Sequence, residues 1–175
     1  LGGDDLVCVW GALPATDGGG GTTIRGGPGH DAFAARTSRS PDYLDVRGME
    51  SLQIWMGGGY DELRLTNIRG GGRIDAGAGR GLLRMYDFGD VNLDMEDEVL
   101  ELDGGAGDYV SLRFYDAFAT GDRVRLTGER HQNILRAVAC QATFAGGRGD
   151  DTLRASTPSV GGCAPRGARM LGMRG

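Results

Sequence analysis

The chain of 175 residues holds 34 glycines but only 5 prolines, and its glycines keep no three-residue period, which excludes a collagen-like helix. A hydrophobic share of 39%, spread along the whole length, suffices for a packed core and argues against a fully disordered chain. No apolar run nears the ~18 residues of a membrane span, and a net charge of −5 with a sequence pI of about 5.0 argues against a nucleic-acid partner while leaving cations open.

In chain order, short alternating runs occur at Leu6–Trp10, Tyr43–Val46, Leu52–Met56, Leu63–Ile68, Leu82–Tyr86, Val99–Leu102, Val110–Phe114 and Val124–Leu126. Most place apolar residues at every second position over four to six residues, the pattern of strands with one buried face. Glycine clusters or Asp-Gly pairs separate them, and no stretch of eleven residues sustains a 3.6-residue period. The fold class is therefore all-β. The stretch Asp17-Gly18-Gly19-Gly20-Gly21-Thr22 lacks the lysine of a phosphate-cradling loop and reads as a flexible loop.

The punctuation repeats. Gly-x-Asp-x-apolar occurs at Gly3–Val7, Gly29–Phe33, Gly59–Leu63 and Gly149–Leu153, with Asp5, Asp31, Asp61 and Asp151 at the acidic position. Degenerate copies begin at Gly77, Gly104 and His131, the last with Asn133 at that position, two nonapeptide lengths before Asp151. Such spacing suits coils of a solenoid, each built from two or three short strands and tight glycine corners. The apolar residue two after each Asp then points inward and stacks on its equivalent one coil away, so that no repeat folds alone. The expected architecture is a right-handed parallel β-solenoid, an irregular β-helix or β-roll, forming one domain over 1–175. Its coils are irregular over 1–145 and glycine-rich over 146–175. A β-sandwich, which also uses short strands, is the competing reading; repeated glycine doublets tied to Asp favour the solenoid.

Cys8, Cys140 and Cys163 fit no metal-ligand spacing. Of the three single pairings, Cys140 with Cys163 closes the shortest loop and is the expected disulfide. Opening on Leu1, and closing on Gly172-Met173-Arg174-Gly175 as on half a glycine motif, the chain reads as a piece of a longer protein.

Gly146-Gly147-Arg148-Gly149-Asp150-Asp151-Thr152-Leu153-Arg154 and Gly26-Gly27-Pro28-Gly29-His30-Asp31-Ala32-Phe33-Ala34 fill every position of Gly-Gly-x-Gly-x-Asp-x-apolar-x. These segments resemble the hemolysin-type, or RTX, calcium-binding repeat of secreted bacterial proteins. The resemblance implies a secreted or cell-surface module that binds Ca2+ between stacked glycine corners, each site drawing ligands from two coils. Calcium is a hard cation that takes six to eight oxygens at ~2.3–2.6 Å, from carboxylates and backbone carbonyls. By resemblance, Asp151 with the carbonyls of Gly147 and Gly149 forms one half-site, and Asp31 with those of Gly27 and Gly29 another. Asp61 and Asp5 stand in partial copies. The sequence also departs from the family: tandem nonapeptides are missing, Asn133 supplies an oxygen without charge, and Gly81 and Tyr109 stand where the family has Asp. Few well-formed calcium sites are expected within the chain, and a coil beyond Gly175 is expected to complete the one at Asp151.

Two alternatives stand beside a calcium-binding structural module: a β-helix carbohydrate-active enzyme, and an adhesin or surface stalk without bound calcium, with a saccharide or cell-surface partner. For the enzyme, Asp61, Arg64, Arg84 and Asp87 are the residues to cast in catalytic roles, although nothing in their spacing demands it. No nucleophile elbow and no His-Glu-x-x-His is present, and His30 and His131 read as exposed turn residues. The acidic stretch Asp94–Glu98, followed by Glu101 and Asp103, could hold a cation or a carboxylate pair. It reads better as a solvated strand face and loop, because Leu93, Met95, Leu100 and Leu102 already supply an inward side.

Overall fold

The computed structural model describes residues 6–10, 22–25, 32–36, 43–104, 109–110, 114–158, 163 and 168–174. Among them every regular element is a strand, and alternation sets which side of each strand is buried. In Glu62–Thr66, for instance, Leu63 and Leu65 are fully buried while Glu62, Arg64 and Thr66 are half-buried on the outer side.

Strands of successive coils pair side by side in parallel. The first ladder runs β1 (Leu6–Trp10), β3 (Ala32–Arg36), β5 (Ser51–Trp55), β8 (Gly72–Asp75) and β13 (Tyr109–Val110). The second begins with β2 (Thr22–Arg25), β4 (Tyr43–Arg47), β7 (Glu62–Thr66) and β10 (Leu82–Tyr86). It continues through the first halves of β14 (Asp116–Thr127) and β15 (Ile134–Arg148) to β16 (Thr152–Ser156). The later parts of β14 and β15 build a third ladder with β11 (Asp90–Asp94) and β17 (Ala168–Arg174). A short parallel pair, β6 (Gly58–Gly59) and β9 (Ala78–Gly79), lines one corner. The one antiparallel pairing among the described residues is the hairpin of β11 with β12 (Val99–Leu102). Consecutive parallel coils exclude the sandwich, which needs facing antiparallel sheets. The fold is an all-β parallel solenoid.

Register stacks like on like. Leu44, Leu63, Leu83, Ala117 and Leu135 form one buried column of the second ladder, and Val46, Leu65, Met85, Ala119 and Ala137 the next. On the third ladder, Val91, Val124 and Ala142 stack beside Leu93, Leu126 and Phe144. Corner residues Met49, Met56, Ile68 and Phe88 close the core. One corner bends the same way in three coils: Gly48, Asn67 and Asp87, each just after a strand of the second ladder, have φ of 63°, 50° and 61°. Glycine, Asn and Asp are the residues that enter this left-handed region at least cost.

The coil length changes along the axis. Tyr43 pairs with Glu62 and Glu62 with Leu82, coils slightly longer than two nonapeptides. Leu82 then pairs with Asp116 across an insertion that contains the β11–β12 hairpin. Asp116 pairs with Ile134 and Ile134 with Thr152, each step spanning exactly two nonapeptide lengths. The eighteen-residue repeat thus holds from Asp116, well before the glycine-rich motif at Gly146. Cys140 and Cys163 are joined by a disulfide, with Cα atoms 5.2 Å apart, and Cys8 is free and exposed.

Most of the alternating runs are strands within a residue or two of the expected bounds. Of the run Val110–Phe114, Val110 and Phe114 are among the described residues: Val110 closes β13, and Phe114 lies outside any strand, buried beside Gly81. Strands β2, β3, β8, β11, β16 and β17 fall outside the expected runs, as do the short β6 and β9. β2 begins at Thr22, the last residue of the stretch read as a loop, and β15 is a 15-residue strand where no alternating run is expected. A stacked core makes a clear prediction: Leu83→Ala, at a fully buried position between Leu63 and Ala117, should lower unfolding free energy by ~2–5 kcal/mol in urea titrations.

Candidate functional site

The residues before five strands of the second ladder, β7, β10, β14, β15 and β16, occupy one column along a corner. Because Glu62, Leu82, Asp116, Ile134 and Thr152 are in register, that column holds Asp61, Gly81, Tyr115, Asn133 and Asp151. Asp61, Gly81, Asn133 and Asp151 were expected at such corners. Tyr109 was cast as the fifth, but it pairs with Gly72 in the first ladder, and Tyr115 takes the place. The apolar residue two after each corner position does point inward: Leu63, Leu83, Ala117 and Leu135 are buried, and Leu153 packs against the core.

Polar corner side chains tie one coil to the next. Asn133 is fully buried; its Nδ2 donates to the Tyr115 carbonyl at 2.8 Å and its Oδ1 accepts the Glu129 amide at 2.9 Å. Asp151 Oδ1 accepts the Asn133 amide at 2.9 Å, and the Asn133 carbonyl accepts the Thr152 amide at 2.8 Å. Asp116, one residue further, accepts the Ile134 amide at 3.0 Å and a two-pronged contact from Arg80. Sequence reasoning missed Asp116. Its signal was the two-nonapeptide distance to Ile134, masked because an acid at the next position breaks the motif.

The glycines of the motif are there for close approach. Gly147 and Gly149 have φ of +87° and +108°, and a Cβ on Gly147 would collide with the Glu129 carbonyl of the coil below. A Cβ on Gly146 would strike the Asp151 carboxylate, as one on Gly128 would strike the Asn133 amide. The two corners lie a single coil apart and share the contact of a glycine with the column side chain, but their turns differ: Gly147 and Gly149 have positive φ, whereas Glu129 and His131, one coil earlier, do not. The column side chains also bond differently. Asn133 Oδ1 has its amide donor, whereas the buried Asp151 Oδ2 has no hydrogen-bond partner among the described residues.

A carboxylate oxygen without a donor beside a glycine turn suits half of a calcium site. The donor set goes no further: among the described residues no group of three or more His, Cys, Asp or Glu is placed to hold a metal. Asp61, four coils away in the same column, is 1% exposed and gives its carbonyl to the Leu82 amide at 2.8 Å. Asp5, Gly27, Gly29 and Asp31 lie outside the described residues. The strands that follow them in sequence, β1 and β3, belong to the first ladder, whereas β7 and β16, which follow Asp61 and Asp151, belong to the second.

The residues cast for catalysis are not brought together. Asp61 is inside the corner, whereas Arg64 and Arg84 lie on the outer face, Arg64 stacked 4.2 Å from the Tyr86 ring centroid and Arg84 2.6 Å from Glu62. Asp87 is an exposed turn residue. His131 contacts Glu129 at 3.0 Å and meets Tyr115 edge-on. The acidic stretch is a strand face and turn, as expected: Asp94 Oδ1 accepts the amides of Glu96 and Asp97, Asp103 Oδ1 those of Gly89 and Asp90, and Leu93, Met95, Leu100 and Leu102 are buried. No protein-family model, curated protein or solved structure matches the chain. Among the described residues no helix is long and apolar enough to cross a membrane.

This geometry can be tested at two positions. Asn133→Ala removes the donor to Tyr115 and the acceptor for Glu129 at a buried corner, and should cost ~2 kcal/mol or more in chemical denaturation. Arg123, hydrogen-bonded to Asp90, holds that carboxyl below the usual carboxylate range. Because the folded pKa is depressed, the pair's contribution is present above the unfolded Asp pKa of ~3.9 and lost as pH falls through the folded value. Asp90→Asn should flatten that acid limb of a stability–pH profile while changing stability little at neutral pH, since solvent screens the pair.

Proposed function

We propose that the chain is a structural β-solenoid module of RTX type, secreted or displayed at a cell surface, whose glycine corner at Asp151 takes up calcium. One observation carries this reading: Gly146–Arg154 sits in register one coil from Gly128–Asn133 and leaves Asp151 Oδ2 without a hydrogen bond among the described residues. A calcium ion would neutralise that carboxylate and, by drawing on carbonyls of the adjoining glycine turn, stiffen the last coils. Asp151 would be the anchoring charge, with Gly147 and Gly149 as the turn that shapes the site. Asn133, a neutral oxygen donor in the same column, makes this half of a site, and waters or a further stacked corner would complete the six to eight oxygens.

Thermal melts in calcium and in EDTA test the proposal. Calcium should raise the melting temperature, a free concentration 100-fold above the dissociation constant adding ~2.7 kcal/mol, and magnesium should not reproduce the effect. Asp151→Asn should abolish the response. Asn133→Asp places a carboxylate one coil from Asp151 in the column and removes the donor to Tyr115, so this variant should be less stable in EDTA and gain more from calcium than the parent. Unchanged melts for both the parent and Asn133→Asp across millimolar calcium would remove the ion and leave a calcium-independent stalk.

A further inference from the structure

The outer face of the third ladder carries a groove of about 330 Å3 that spans β12, β11, β14 and β15. Register lines its floor with two columns of polar side chains. Asn92, Arg125 and Thr143 form one, with Glu101 across from Asn92; Asp90, Arg123 and Gln141 form the other. Neighbouring strands are ~4.8 Å apart, so the groove from β11 to β15 is ~10 Å long, room for a disaccharide-sized stretch of chain.

Two of the four charged side chains lining this groove are matched in an ion pair, and a third accepts a hydrogen bond. Arg123 forks onto Asp90, its Nε donating to Oδ1 at 2.7 Å, and Asn92 Nδ2 donates to Glu101 Oε2 at 2.8 Å. Arg125 is different. It is exposed, and among the described residues it has neither an ion-pair nor a hydrogen-bond partner. The groove therefore presents one guanidinium with two free nitrogen edges, bordered by the uncharged hydrogen-bonding groups of Gln141 and Thr143 and by two carboxylates that can still accept.

We propose that this groove binds an acidic saccharide, with Arg125 receiving a sugar carboxylate and Gln141, Thr143, Asn92 and Glu101 bonding its hydroxyls. A guanidinium fits a carboxylate two-pronged. Hydroxyls both donate and accept, so they alone among common polyanion groups use Asp90 and Glu101 as well as the amides. A nucleic acid fits poorly, because its phosphates bring no donors and would face those two carboxylates in a protein of net charge −5. The inference stands on the third ladder and does not depend on calcium.

Calorimetric or NMR titration of the full chain in EDTA with short oligouronates, against neutral glucose oligomers of equal length, tests it. Oligouronate should bind, more weakly as salt rises, and the neutral oligomer at least about tenfold more weakly. Arg125→Gln should lose about tenfold in oligouronate affinity, whereas Arg136→Gln, on the outer face of the second ladder, should leave it unchanged with the same circular dichroism. No oligouronate binding by the parent, equal binding of the neutral oligomer, an Arg125→Gln variant of undiminished affinity, or tighter binding of a single-stranded oligonucleotide would each overturn the proposal. Because the titration excludes calcium, its failure leaves the Asp151 reading untouched.

Discussion

Each coil can bury its inward side chains only against the coil beside it, and this dependence shapes everything else in the molecule. A short strand with two apolar side chains, such as Leu63 and Leu65, has no independent core. It gains one when Leu44 and Val46 lie on one side and Leu83 and Met85 on the other. Parallel pairing supplies the backbone hydrogen bonds and fixes the offset at the same time, since a slip of one residue would send every leucine outward. Tolerance to sequence change is consequently uneven. Column positions keep their apolar character from Leu44 to Leu135, while the outer positions run through Asp45, Arg64, Arg84 and Phe118 with little in common.

Corners face a second constraint, because backbone stacked on backbone leaves polar groups with few partners and little room. The chain meets it in two ways. Where the turns touch, glycine removes the colliding Cβ, as at Gly147 over Glu129. Where an amide points along the axis, a side chain from the next coil accepts it, as Asp151 does for Asn133, or one from the coil before, as Asp116 does for Ile134. An acidic corner residue in this fold is thus first a part of the backbone hydrogen-bonding scheme. Asp151 has a second oxygen that this scheme does not use.

The change from the longer coils of the first half to the shorter, regular coils of the second is made by the insertion between Leu82 and Asp116. Its hairpin lays β12 against β11 and so starts the third ladder with a paired, not a bare, edge. The same hairpin walls the groove around Arg125, so one segment both changes coil geometry and shapes a surface site. Arg123 and Asp90 hold that wall by an ion pair across the ladder, leaving Arg125 to face solvent.

Strand alternation and the glycine-Asp punctuation were legible in the order of residues, because period-two burial and positive-φ turns are local requirements. From them came the all-β class, the coil architecture, and the placement of Asp61, Gly81, Asn133 and Asp151 at corners. Pairing of Cys140 with Cys163 was read from loop length and is the disulfide found. Which corner stacks on which was not legible. Register is set by the coil length between two strands, and the insertion before Asp116 shifts it, so that Tyr115 rather than Tyr109 joins the column. Nor could the sequence place Asn92, Arg125 and Thr143 side by side: they are distant along the chain, and only the parallel ladder brings them to neighbouring strands. Local chemistry decided the strands and the bends; the offset between coils, a property of the whole stack, decided which side chains meet.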